Sequence, residues 1–185
     1  MKTRPTIIDF VEHYTQKFSE HVFLREKIND VWTETTFRET REMAHRLGAG
    51  FMALGLEKGE RVAFLSQGRN LWVTGELGIL YAGGVNVPLS IKLEDSGDLL
   101  FRINHSDAKY VVVSEQQLPK IRKILGDCPH VEKVIVLDAL EKYEEKEMGV
   151  DELLSLGDAL LDKDAAAFEA RYKSVQPDDY ANISY

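Results

Sequence analysis

From Arg61 onward, four short apolar and largely β-branched runs, at 62–66, 85–89, 110–114 and 134–137, alternate with helical stretches at about 69–82, 95–105 and 115–126. That order is βαβαβαβ. Helical connections of this length carry the chain back to the start of the next strand, so the strands run parallel with right-handed crossovers. Runs such as YVVVS and KVIVL are continuous rather than alternating, as expected for strands covered on both faces. The predicted core is therefore α/β: a doubly wound, mostly parallel sheet flanked by helices. A chain of 185 residues, 44% hydrophobic and 29% charged, is long enough to bury such a core.

The residues before the core predict an N-terminal helix and a β-hairpin. Ile7, Ile8, Phe10, Val11, Tyr14 and Phe18 recur at spacings of three and four, the mark of an amphipathic helix that needs a surface to dock on. Two β-like runs, 22–25 and 31–35, flank the turn-forming pair Asn29-Asp30. Thr36 and Glu39 then have capping-box spacing. The helix they open keeps apolar residues at Met43, Ala44, Leu47, Phe51 and Leu54 until Gly55 stops it. After the core, helices are expected around 151–162 and 164–173, and ANISY at the end of the chain reads as the start of another strand. The organisation that follows is 1–58 for the helix, hairpin and capped helix; 59–138 for the parallel α/β core; 139–176 for an acidic loop and helices; and 177–185 for the last strand.

Charge is located rather than spread. Residues 138–169 hold 11 acids and 3 bases, so the whole net charge of -8 sits there, and the rest of the chain is balanced. EKYEEKEMG at 141–149 reads as a solvated acidic loop, and such a segment excludes a nucleic-acid surface nearby. No apolar run approaches the roughly 20 residues of a membrane span. Asp9 and Glu12 interrupt what a signal peptide would keep apolar. A cytoplasmic protein with no transmembrane segment and no nucleic-acid partner is the expectation.

Motifs for chemistry are sparse. Cys128 is the single cysteine and reads as an inert thiol, and the five histidines are scattered, so no metal site is expected. Asn104 and Asn182 begin N-x-S triplets that read as chance. Gly48-Ala49-Gly50-Phe51-Met52-Ala53 has the loose form of a dinucleotide fingerprint but lies inside a capped helix, where small residues serve helix packing. Gly78 and Gly83 are spaced like a phosphate loop, yet Gly84-Val85 follows where Lys and Ser or Thr are required. Gly83-Gly84 reads instead as a tight helix end. Ser66 and Ser90 lack a nucleophile frame, and Asp178-Asp179 and Glu144-Glu145 read as solvent groups. Trp32 and Trp72 could serve a ligand or the core.

Four stretches together carry a resemblance. WTETTFRETREMAHRLGAGFMALGLEKGERVAFLSQGRN at 32–70, Asn70-Leu71-Trp72, GILYAGGVNVPLS at 78–90 and INHSDAKYVVVSEQQLPKI at 103–121 are similar to the leading part of AMP-forming acyl-CoA synthetases of the adenylate-forming superfamily, in their long-chain fatty acid–CoA ligase branch. PDDYANISY at 177–185 resembles the run-in to that family's phosphate-binding loop, which continues with Thr-Ser-Gly-Thr-Thr and Pro-Lys-Gly.

The resemblance implies a parent enzyme that uses ATP, Mg and coenzyme A to convert a fatty acid to an acyl-adenylate and then a thioester. It also implies that this chain is an N-terminal fragment ending just before the loop and inactive alone. No catalytic, cofactor-binding or metal residue is then expected within it, and Ser184 and Tyr185 flank the ATP phosphate loop. The implied partners are the remainder of the parent enzyme, its fatty acid and, through uncovered surface, a second copy of the fragment. Medium-chain and aryl acids stay open as substrates. A free-standing doubly wound binding module, using the crevice at the carboxyl ends of its strands, is the alternative.

Overall fold

The structure, a computed structural model, describes residues 4–185. Helix α1 (Ile7–Phe18) begins at a capping box: the Thr6 hydroxyl accepts from the Asp9 N–H, and the Asp9 carboxylate accepts from the Thr6 N–H. Strands β1 (Val22–Ile28) and β2 (Val31–Thr36) form an antiparallel hairpin. Asn29 and Asp30 turn it with φ of 49° and 65°, the left-handed pair that a two-residue hairpin demands. Thr36 and Glu39 make the second capping box, which opens α2 (Phe37–Ala53).

The core follows as β3 (Arg61–Leu65), α3 (Asn70–Tyr81), β4 (Val85–Pro88), α4 (Ser96–His105), β5 (Ala108–Val113), α5 (Leu118–Ile124) and β6 (Lys133–Val136). The α5 segment is a short α-helix between two single 3-10 turns, rather than one helix over 115–126. A fifth parallel strand, β7 (Glu147–Gly149), then leads into α6 (Val150–Lys173). Asp164 breaks the helical dihedrals inside α6, and its carboxylate accepts from the Ala167 N–H at 2.9 Å. The two helices expected from sequence therefore meet at an internal cap.

All strands of the main sheet run parallel in the order β4-β3-β5-β6-β7. Ala63, Leu65, Val111, Val113, Val134 and Val136 face one layer with α4 and α5. Val62, Phe64, Tyr110, Val112 and Ile135 face the other, with α2 and α6. Both faces are covered, which is the doubly wound arrangement. On the second face α2 and α6 cross so closely that a side chain at Gly157 would stand 1.9 Å from the Arg46 carbonyl oxygen. Gly83, at φ 78°, supplies the left-handed turn from α3 into β4.

Strand β7 was not legible in the chain, where 141–149 reads as loop. Its first residue is charged, and only tertiary structure neutralises it: the buried Glu147 carboxylate accepts from Arg122 at 2.7 and 2.8 Å. Likewise, part of the acidic segment docks onto arginines instead of facing solvent. Asp158 takes Arg46 at 2.6 and 2.7 Å, fastening α6 to α2, and Asp138 takes Arg69.

Candidate functional site

The strand order reverses at β3, which has β4 on one side and β5 on the other. Open α/β sheets place ligands at the carboxyl ends of the strands beside such a reversal. The residues emerging there are Gln67 and Arg69 after β3, Ser114, Glu115 and Gln116 after β5, and Asp138 after β6. They bond to one another. Ser114 Oγ donates to Gln67 Oε1 at 2.7 Å, and Gln67 Nε2 donates to Gln116 Oε1 at 2.6 Å. Arg69 donates to Asp138 through Nη1 at 2.8 Å and Nη2 at 2.9 Å, and the Glu115 N–H reaches the same carboxylate at 2.8 Å.

Above this floor lies an open groove of about 940 Å³, roofed by the hairpin with Ile28 and Trp32. Its cations are already matched. Lys27 pairs with Asp30 and Arg25 with Glu34, both at 2.8 Å. Glu26 accepts the first N–H of α3, from Asn70, whose Nδ2 donates to Thr35 at 2.9 Å. Arg69 and Asp138 satisfy each other. The groove thus has room, and its cations Arg25, Lys27 and Arg69 are each already paired.

The second candidate region is the end of the chain. Asn182 bridges Asn86 of β4 in parallel register: the Asn86 N–H donates to Ala181 O at 3.0 Å, and the Ile183 N–H donates to Asn86 O at 2.9 Å. Ile183 packs into the core beneath β4. Ser184 Oγ donates to Asn182 Oδ1 at 2.7 Å. The Tyr185 hydroxyl lies 2.8 Å from His105 Nδ1, its ring stands edge-on to Phe101 at 6.3 Å, and the Arg102 guanidinium lies 5.7 Å from the ring centroid. A strand-like continuation was expected here, and the structure contains a single bridge.

One partly buried polar cluster has no counterpart in the sequence reading. Glu12 of α1 accepts from Arg41 at 2.8 and 2.9 Å, lies 3.1 Å from His45 Nε2, and accepts from the Tyr81 hydroxyl at 2.7 Å. Burial would raise its pKa, but bonds from His45, Arg41 and Tyr81 outweigh that and hold the carboxyl at about 2. Burial and the Glu12 charge push the Tyr81 hydroxyl far upward, so it stays a donor. Phe168 and Tyr172 of α6 close on His45 at 5.2 and 5.5 Å. The cluster joins four helices; its members lie up to 160 residues apart, beyond any local spacing rule. It serves as a structural knot, and its Tyr81, Phe168 and Tyr172 pack in the same cluster as Ala181.

The remaining residues singled out from sequence fall into packing roles. Trp72 lies against Phe64 at 5.8 Å in the core, whereas Trp32 is 64% exposed on the hairpin. A side chain at Gly48 would meet Gly78 O at 2.9 Å, so the fingerprint-like glycines serve a helix crossing. Cys128 is buried, and burial raises its thiol pKa. Ser66 Oγ donates to Gln67 O at 3.0 Å, and Ser90 Oγ accepts from the Lys92 N–H at 3.2 Å. Asp178 pairs with Arg4 and Asp179 with Lys58. Among the described residues no group of three His, Cys, Asp or Glu could hold a metal ion, and no helix is long and apolar enough to cross a membrane. ATP phosphates need several converging donors, and at the switch point Arg69, Gln67 and Ser114 each already donate to a neighbouring side chain.

Comparison with known proteins gives a consistent picture. The family described as AMP-binding enzyme matches residues 11–185. The long-chain-fatty-acid–CoA ligase ACSBG1 of Mus musculus is 28% identical over 168 residues, covering 86% of this chain and 22% of that protein. The long-chain-fatty-acid–CoA ligase FadD15 of Mycobacterium bovis is 25% identical over 169 residues, 90% of this chain and 26% of its own length. The chain therefore spans about a quarter of these curated relatives or less. A long-chain-fatty-acid-CoA ligase, FadD1, from Archaeoglobus fulgidus superimposes with a TM-score of 0.76 at 20% identity, over 98% of this chain and 34% of that one. At that identity the superposition speaks for the fold alone.

Proposed function

Because the chain belongs to the AMP-binding enzyme family, we propose that it is the amino-terminal α/β part of an AMP-forming acid–CoA ligase that activates a fatty acid. In such an enzyme ATP and the acid give an acyl-adenylate, and coenzyme A then takes the acyl group. The residues described here are assigned no chemical step in that reaction. Their role is to carry the strand that runs toward the phosphate-binding loop, with Ser184 and Tyr185 as residues flanking that loop.

The observation that carries this reading is the docking of 181–183 on the edge of β4, with Tyr185 anchored on α4. It supports a strand held at a fixed place and direction. The self-satisfied switch point supports the same reading, since it disfavours a free-standing module that binds ligand there. Exposed Ile7, Phe10, Tyr14, Val31 and Trp32 supply apolar surface that the remainder of a larger enzyme, or a second copy, would cover.

A chimera tests the proposal. Replacing the corresponding residues of a fatty-acid–CoA ligase with this chain should retain fatty acid- and ATP-dependent acyl-CoA formation. A chimera that folds and binds ATP but forms no acyl-CoA with any fatty acid would overturn it.

A further inference from the structure

Asn86 sits in the middle of β4, completely buried, with neither its Oδ1 nor its Nδ2 hydrogen-bonded. Burying an amide with both halves unmatched opposes folding, and native interiors pair such groups. The neighbours on the sheet narrow the choice of partner. On one side β3 presents Val62 in register with Asn86, an apolar residue with nothing to donate or accept. On the other side stands Asn182.

Residues directly paired across a parallel ladder present their side chains on the same face. The Asn182 amide is therefore the polar group in register with Asn86. Asn182 is exposed, and its Oδ1 is occupied by the Ser184 hydroxyl. Rotation of that side chain would bring its Nδ2 to Asn86 Oδ1 as a donor, and stacked asparagines on adjacent strands make such bonds.

We propose that Asn86 is a positioning residue, forming an amide ladder with Asn182 that fixes the register of the last strand. A slip of one residue would turn Ile183 out of the core and Tyr185 away from His105, because successive side chains point to opposite faces. Asn182 thus exchanges Ser184 for Asn86, and this frees the Ser184 hydroxyl at the point where the strand leaves the sheet. The purpose assigned to that strand rests on the ligase reading. The ladder itself does not, and it is measured in this chain without any activity.

The test is amide hydrogen exchange and NMR on the 185-residue chain. Wild type should give a cross-strand contact between the side-chain amides of Asn86 and Asn182. Asn86→Leu, close in volume, should keep or raise Tm while the Ile183 amide exchanges at least tenfold faster and the Tyr185–His105 contact disappears. Asn182→Ala lies on the surface, leaves the core intact, and should accelerate Ile183 in the same way. Wild-type protection of Ile183 in Asn182→Ala would overturn the proposal, whether or not Asn86→Leu folds. Uniform acceleration of every core amide in Asn86→Leu, with Asn182→Ala silent, would do the same and make Asn86 a packing residue only. An inactive chimera with these exchange results intact would count against the ligase reading and not against the ladder.

Discussion

The carboxyl ends of β3, β5 and β6 and the outer edge of β4 lie in one sheet and treat polar groups in opposite ways. At the first, Gln67, Ser114, Gln116, Arg69 and Asp138 satisfy one another. At the second, a buried amide has no partner and the last strand rests on two backbone hydrogen bonds, one half-buried isoleucine and one tyrosine anchor. A matched network resists change and costs stability when broken, whereas an unmatched buried group opposes folding until it finds a partner. The usual ligand position of the fold carries a mutually bonded network, and the edge carries the docking of the last strand.

The contrast sharpens first at the polar anchor behind the edge. Helix α1 borders the approach to the last strand, since Ile7 and Ile8 share a small hollow with Val175, Asp179, Tyr180 and Ala181. Glu12 holds that helix. Its folded pKa of about 2 is below the ordinary 4.5, so its contribution is complete above 4.5 and is lost as pH falls toward 2. The difference corresponds to about 3 kcal/mol. Glu12→Gln should lower stability by a similar amount at pH 7 and flatten the acid limb between pH 4.5 and 2, as read by urea unfolding across that range. An unchanged acid limb would remove Glu12 as the anchor.

Next comes the matched network. Asp138→Ala strips Arg69 and the Glu115 N–H of their common acceptor and should cost about 2 kcal/mol, measured by urea midpoint. It should leave exchange of the Ile183 amide relative to global opening unchanged. If instead the mutation is neutral and opens a site that binds adenine nucleotide in calorimetry, the switch point is a suppressed ligand site and the contrast fails.

Smaller effects belong to the surface. Lys58 bonds Asp179 at 2.6 Å and the Ser174 carbonyl at 3.0 Å, tying down the turn before the last strand. Lys58→Met should cost under about 1 kcal/mol, as exposed pairs do, but raise local exchange over 179–183 severalfold. Arg25→Gln removes an exposed hairpin pair with Glu34 and should shift the urea midpoint by less than about 0.5 kcal/mol. A larger loss would mean that the groove roof is structurally coupled to the switch point.

What was legible in the chain follows from the range of each interaction. The four strands of the core and the capped α2 are local patterns: continuous β-branched runs and a Thr-to-Glu spacing of three. The division of α6 near residue 163 was legible as two helical stretches, whereas the Asp164 cap that makes it was not singled out. Strand β7 was hidden because Glu147 is made tolerable only by Arg122, on a different helix. The Glu12 knot was hidden because it gathers four helices. Asn86 carries a faint signal, one polar residue inside the otherwise apolar VNVPL, but its unmatched amide becomes visible only when β3 and Asn182 flank it. Ser184 and Tyr185 were singled out by resemblance alone, and nothing in their own chemistry distinguishes them.

The measurement that bears most directly on the self-bonded switch point is ATP–pyrophosphate exchange by the purified 185-residue chain with long-chain, medium-chain and aryl acids and magnesium. Exchange at background for every acid is the expected result. Acid-dependent exchange above background, abolished by Asp138→Ala, would contradict it and move the active site to the groove between the hairpin and β3.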